Sequence, residues 1–170
     1  MKRTMVIGCC GAGKSTFARA MHTATGLDLI HLDQHYWKPG WEETDREKWR
    51  AIVQELADRP SWIIDGNYGG TMDIRIERAD TIIYLDYPTW KCLWRVGRRI
   101  WRYRGTERPD MPEGCPERFD LEFLHYVATF NWRKRRAMMQ RLNALKGEKR
   151  VEILRSDGEA ARFLKQIGAK

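Results

Sequence analysis

No stretch of these 170 residues stays apolar long enough to cross a bilayer, and the chain runs into its first strand without a leader-like segment. A soluble, cytoplasmic protein is therefore expected, with no membrane partner. Cysteine is scarce: Cys9 and Cys10 are adjacent, and Cys92 and Cys115 stand alone. With no CxxC pair and no histidine at ligand spacing, a disulfide scaffold and a zinc module are both excluded, leaving four small buried or half-exposed thiols. Helix-turn-helix, zinc-finger and basic-zipper signatures are absent, so no motif supports a nucleic-acid partner. Internal repeats and low-complexity tracts are missing too. Acidic residues are in deficit, 23 against 31 lysines and arginines, for a net charge of +8. Such an excess suits phosphorylated small molecules, nucleic acid or an anionic surface. Its arginines crowd into 95–108 and recur at Arg133, Arg135 and Arg136. Eight tryptophans are many for this length, and most are expected in the core or in a pocket wall.

The length suits one domain spanning 1–170. Five short apolar runs, at 4–7, 28–32, 62–64, 81–85 and 151–154, alternate with helical segments. That alternation predicts a parallel sheet covered by helices on both faces. Thr44-x-x-Glu47 reads as a capping box opening a helix that Pro60 ends. Pro88 opens another, on which Trp90, Leu93, Trp94, Ile100 and Trp101 form an apolar stripe. On the same helix Arg95, Arg98, Arg99 and Arg102 form a second stripe, at i, i+3, i+4 and i+7. The 104–118 segment is rich in proline, glycine and charge and reads as a loop and the moving part. One long helix is expected over about 121–145.

The most informative residues are Gly8-Cys9-Cys10-Gly11-Ala12-Gly13-Lys14-Ser15, a G-x-x-x-x-G-K-[ST] phosphate loop with a strand before it and a helix after it. Its glycines let backbone N–H groups turn inward, and the helix's positive end favours an anion. Gly8, Gly11, Ala12, Gly13, Lys14, Ser15 and Thr16 form the expected nucleotide-binding set. Lys14 would reach the β- and γ-phosphates of ATP, and the Ser15 hydroxyl would ligate Mg²⁺. Asp65, at the end of the 62–64 strand, is the second expected Mg²⁺ ligand, with Asp86 as its competitor. Asp33 closes the second strand, where it either orients an acceptor hydroxyl or caps a turn. His31 and His35 read as wall or loop residues. Trp37 and Trp41 pack an excursion or stack on a planar substrate. The arginine stripe, Arg95 and Arg99 above all, would stabilise charge on a transferring phosphoryl group.

Together these residues resemble the adenylate kinase-like branch of P-loop small-molecule kinases, and more closely the small FlaR-type DNA topology modulation proteins. The resemblance covers nearly the whole chain. It rests on the phosphate loop, on His31-Leu32-Asp33 through Trp41, on Asp65-Gly66-Asn67-Tyr68, on 80–88 followed by Arg95 and Arg99, and on Tyr103-Arg104-Gly105 with Arg108-Pro109-Asp110. It implies a three-layer α/β/α fold with a five-stranded parallel sheet in the order 2-3-1-4-5. It also implies a short lid around 104–118, an acceptor-side excursion around 33–60, and phosphate-clamping roles for Arg95 and Arg99, to which the arginine pattern adds Arg133. The implied activity is transfer of the ATP γ-phosphate to a nucleotide-like or other small acceptor. The alternative is a nucleotide-gated DNA-binding protein without kinase activity, a reading that requires the arginines to face outward. One departure stands out: Asn67, Tyr68 and Gly69 replace the arginine with which adenylate kinases grip the acceptor monophosphate. Arg75 or Arg78 would have to substitute.

Overall fold

A computed structural model describes residues 1–106 and 109–168. Arg108, one of the lid-side arginines, lies outside the described residues. Five parallel strands form the sheet: β1 (Arg3–Gly8), β2 (Leu29–His31), β5 (Trp62–Asp65), β6 (Thr81–Leu85) and β7 (Arg150–Leu154). A small antiparallel hairpin, β3 (Trp37–Lys38) with β4 (Glu42–Glu43), lies apart from it. The sheet order is β2-β5-β1-β6-β7, which is 2-3-1-4-5 when the hairpin is left out of the count.

Strand periodicity builds two cores at once. Met5, Ile7, Ile64 and Ile82 point to one face and Val6, Ile63, Ile83 and Leu85 to the other. The first face is covered by α3 (Arg46–Asp58), α4 (Met72–Arg78) and α7 (Arg136–Leu145). The second is covered by α1 (Lys14–Thr25), α5 (Thr89–Arg102), α6 (Leu121–Phe130) and α8 (Asp157–Gly168). A one-turn helix, α2 (Leu32–Tyr36), follows β2. Each fully buried aliphatic side chain contributes about 1.5–3 kcal/mol relative to exposure, which explains why central strands read as unbroken apolar runs.

Three local expectations are corrected. The cap of α3 is Asp45, whose carboxylate accepts from the Glu47 and Lys48 N–H groups. Thr44 is instead buried and donates to the Tyr36 carbonyl at 2.6 Å, closing the hairpin. The tryptophans of α5 are not core: Trp90, Trp94 and Trp101 are 69%, 58% and 83% exposed. The helix turns Cys92 and Val96 inward because the phosphate loop approaches so closely that a Cβ on Gly11 would sit 2.3 Å from the Cys92 carbonyl oxygen. Indole rings do not fit there. The helix over 121–145 is continuous but widens into a π-turn at Asn131–Arg135, between α6 and α7.

Candidate active site

The C-terminal ends of the strands converge on one cleft of about 1580 Å³. After β1 the chain turns through Gly11 and Gly13, at φ 81° and 91°, and enters α1 with no side chain capping its first turn. The unpaired N–H groups of that turn face the cleft as an anion cradle. Lys14 extends back so that its Nζ donates to the Cys9 carbonyl at 3.2 Å. Burial pushes the Lys14 amine down, but Cys10, Asp65 and Asp33 outweigh it and leave its pKa raised. Lys14, Asp33 and Asp65 line the same cleft.

Their positions are fixed by partners far away in sequence. The Asp65 carboxylate accepts from His31 Nδ1 at 2.9 Å, which joins the ends of β5 and β2. Asp65 Oδ1 is buried with no hydrogen-bond partner among the described residues, a free lone pair where a cation or its water would sit. Asp33 Oδ1 accepts from the Tyr68 hydroxyl at 2.5 Å. Burial and the Asp33 charge push the Tyr68 phenol up, so it remains a donor. Asn67 brackets Gly8: its amide donates to the Gly8 carbonyl at 2.7 Å and its carbonyl accepts the Gly8 N–H at 3.0 Å.

Arg95 reaches the phosphate loop, with Nη1 donating to the Ala12 carbonyl at 3.0 Å and Nη2 to Asp157 at 2.7 Å. Arg99 instead holds the buried Glu117 of the 104–118 segment, through Nε at 3.1 Å and Nη2 at 3.0 Å. Arg133 lines the cleft from the π-turn. Asp86, the competing metal acid, is taken by Arg135 in a bidentate pair at 2.7 and 2.8 Å. Neither substitute acceptor-phosphate arginine is in position. Arg75 is wholly buried and donates to the Gly66, Asn67 and Tyr68 carbonyls at 2.8, 2.5 and 3.1 Å. Arg78 pairs with Asp58 and Glu77 on the outside.

Residues 109–118 dock onto the start of the 33–60 excursion. The Gln34 amide donates to the Pro109 carbonyl at 3.0 Å, Gly40 N–H to Gly114 at 2.8 Å and the Trp41 indole to Pro116 at 3.2 Å. Arg118 lies over the Trp41 ring at 5.3 Å. His31, Asn67, Tyr68 and Asp157 were not singled out as functional residues. His31, Asn67 and Tyr68 entered only among the residues that carry the resemblance, and otherwise their legible signal was position, at or just beyond the strand ends. Cys9 and Cys92 are both buried, and a hydrogen bond donated to Cys92 together with burial pushes the Cys9 thiol up.

No protein-family profile matches this chain, and neither does any curated protein. Among solved structures it is similar to a shikimate kinase from Acinetobacter baumannii in complex with shikimate, at TM-score 0.57 and 18% identity over 98% of this chain and 90% of that one. A gluconokinase from Sinorhizobium meliloti 1021 gives 0.54 and 19% over 99% and 90%. A shikimate kinase from Bacteroides thetaiotaomicron gives 0.58 and 14% over 99% and 96%. The chain has the P-loop kinase-like three-layer fold. No helix among the described residues is long and apolar enough to cross a membrane.

Proposed function

We propose that this protein is an ATP-dependent phosphotransferase acting on a small hydroxyl acceptor. One observation carries the reading: two carboxylates, Asp33 and Asp65, lie within electrostatic reach of the phosphate-loop Lys14 in a single cleft. The triphosphate lies in the cradle of Gly8, Gly11, Ala12, Gly13, Ser15 and Thr16, with Lys14 against its outer phosphates. Ser15 and Asp65 are the groups that would hold a Mg²⁺ ion, whose chemistry is to neutralise phosphate charge. The orphaned Oδ1 of Asp65 fits that role. His31 keeps the other oxygen in place.

The acceptor hydroxyl lies at Asp33, held in place by Tyr68. As its oxygen bonds to the γ-phosphorus, its proton passes to the Asp33 carboxylate. The bond from the γ-phosphorus to the β–γ bridging oxygen breaks, and ADP leaves with the electron pair. Arg95, already at the phosphate loop, stabilises the transferring group; Arg99 approaches from α5, where it holds Glu117 of the 104–118 segment, and Arg133 from the π-turn. That segment serves as the lid and 33–60 as the acceptor side, both within one domain. A nucleotide-gated DNA-binding or topology-modulating role needs outward arginines, whereas Arg95 and Arg99 turn toward the loop and the lid. The test is ADP release from Mg²⁺-ATP with and without hydroxyl acceptors. Stimulation by one acceptor, lost in Lys14→Ala, supports transfer; turnover retained in that variant removes it.

A further inference from the structure

The outer side of α5 takes no part in the cleft. Trp90, Trp94, Gly97 and Trp101 stand at i, i+4, i+7 and i+11, so they form one stripe along the helix. All three indoles are more than half exposed, and a Cβ built on Gly97 would meet no atom of the described residues within 4 Å. The buried side of the helix is Cys92 and Val96, and its cleft side carries Arg95, Arg98, Arg99 and Arg102. The stripe itself holds no charge. Arg98 borders it, with its guanidinium 5.0 Å from the centre of the Trp94 ring. Further exposed apolar residues flank both ends of α5. Trp132 follows Asn131, whose amide donates to the Tyr87 carbonyl just before the helix. Phe119 and Leu121 precede Phe123, whose ring lies under Arg99 near the other end.

At roughly 200 Å² for a whole indole, the three rings of the stripe expose on the order of 400 Å², and the flanking residues add a comparable area. A soluble monomer rarely leaves that much apolar surface in one region, and a stable interface covers about 800 Å² on each partner. The spacing of the stripe reads the same from either end. A second α5 laid antiparallel therefore sets Trp90 against the partner's Trp101, and Trp94 against the partner's Gly97. Each Trp94 ring enters the notch that a glycine leaves, and every contact is made twice, as a two-fold axis requires. An anionic partner has less to hold on this face, because the α5 arginines line the cleft and Lys91 and Arg95 are hydrogen-bonded to Asp157. We infer that the stripe is the seam of a homodimer, two copies of this chain packed antiparallel along α5. The seam stands whether or not the cleft transfers phosphate.

Sedimentation velocity of the full chain, over a concentration series from nanomolar to high micromolar, should show a monomer–dimer equilibrium. Gly97→Trp fills the notch and should raise the dimer dissociation constant about thirtyfold or more, the scale of a central interface residue. Position 97 faces open space in the single chain, so thermal melting of the dilute monomer should not fall. Gly97→Glu, a helix-favouring change, serves as the disrupting variant if Gly97→Trp fails to fold. Trp94→Ala removes the knob and should weaken the dimer likewise. Combining Trp94→Ala with Gly97→Trp exchanges knob and notch, and should restore the dissociation constant to within about tenfold of wild type. General stickiness of exposed indoles gives no such recovery. Added salt should leave the dimer as tight or tighter, since no ion pair forms the seam. In parallel, the chain is mixed with vesicles of phosphatidylcholine and phosphatidylglycerol and with an oligothymidylate. A chain that stays monomeric across the series overturns the dimer. If that monomer binds vesicles or oligonucleotide and Trp94→Ala abolishes the binding, the stripe belongs to an anionic partner instead. A dimer unchanged in the Gly97 variants, or not recovered in the double variant, overturns the antiparallel seam.

Discussion

The two halves of the cleft are built by opposite means. The donor half is contiguous: eight residues from Gly8 to Ser15 supply backbone N–H groups, a lysine and a hydroxyl, with one arginine added from α5. The acceptor half is assembled from β2, α2, the β3–β4 hairpin and the turn after β5, and its contacts bridge 34 and 35 positions, as in His31–Asp65 and Asp33–Tyr68. Anion binding needs little more than a turn and a helix end, so a short segment can encode it. Selecting an acceptor needs side chains converging from several directions, which no single segment provides.

The sharpest way to break this comparison is Asp33→Asn. It should lower kcat by about 10²–10⁴-fold, the scale of a lost general base, while calorimetry finds Mg²⁺-ATP binding unchanged. Loss of ATP affinity would mean the halves are not separable. Lys14→Ala is the reciprocal change, and should reduce turnover by about 10²–10³-fold and weaken Mg²⁺-ATP while leaving acceptor binding intact.

A third test addresses how the acceptor half is held. Arg75→Met leaves the Gly66, Asn67 and Tyr68 carbonyls without their buried donor, at a cost of about 3 kcal/mol in urea unfolding. An unchanged midpoint would show that the turn holds itself. The smallest effect belongs to the donor half's rim. Burial pushes the Asp157 carboxyl up, but hydrogen bonds from Lys91, Arg95 and Tyr87 outweigh it and hold the pKa at about 2, against an ordinary 3.8. A depressed carboxyl stabilises the fold above its unfolded value, so that contribution should fade as pH falls from about 4 to about 2. Thermal melting of the wild type should decline more steeply through that window than Asp157→Asn. Since Asp157 is largely exposed, the difference should shrink in high salt.

Much of the fold follows from local pattern. Apolar runs at 4–7, 62–64 and 81–85 are strands because both faces of a parallel sheet are covered, and Gly26 ends α1 in the left-handed conformation that it alone adopts without strain. The rotation of α5 was not legible. The apolar stripe read on that helix followed its indoles, whereas the Gly11–Cys92 approach decides for the smaller Cys92 and Val96. The capping residue of α3 was misplaced by one position because Thr44 had a second possible partner, Tyr36, which only the hairpin brings near.

By itself, the sequence determined that a phosphate loop joins a buried strand to a helix, since that unit needs only adjacent residues whose backbone conformations are locally set. It also determined the layered α/β architecture, through periodicity. The tertiary structure alone decided what the remaining charged residues do: Asp65 faces the cleft while Asp86 is consumed by Arg135, and Arg95 reaches the loop while Arg75 supports a turn. Charge and residue type were the same within each pair. Partner and burial separated them, and both are set by which strands and helices come together.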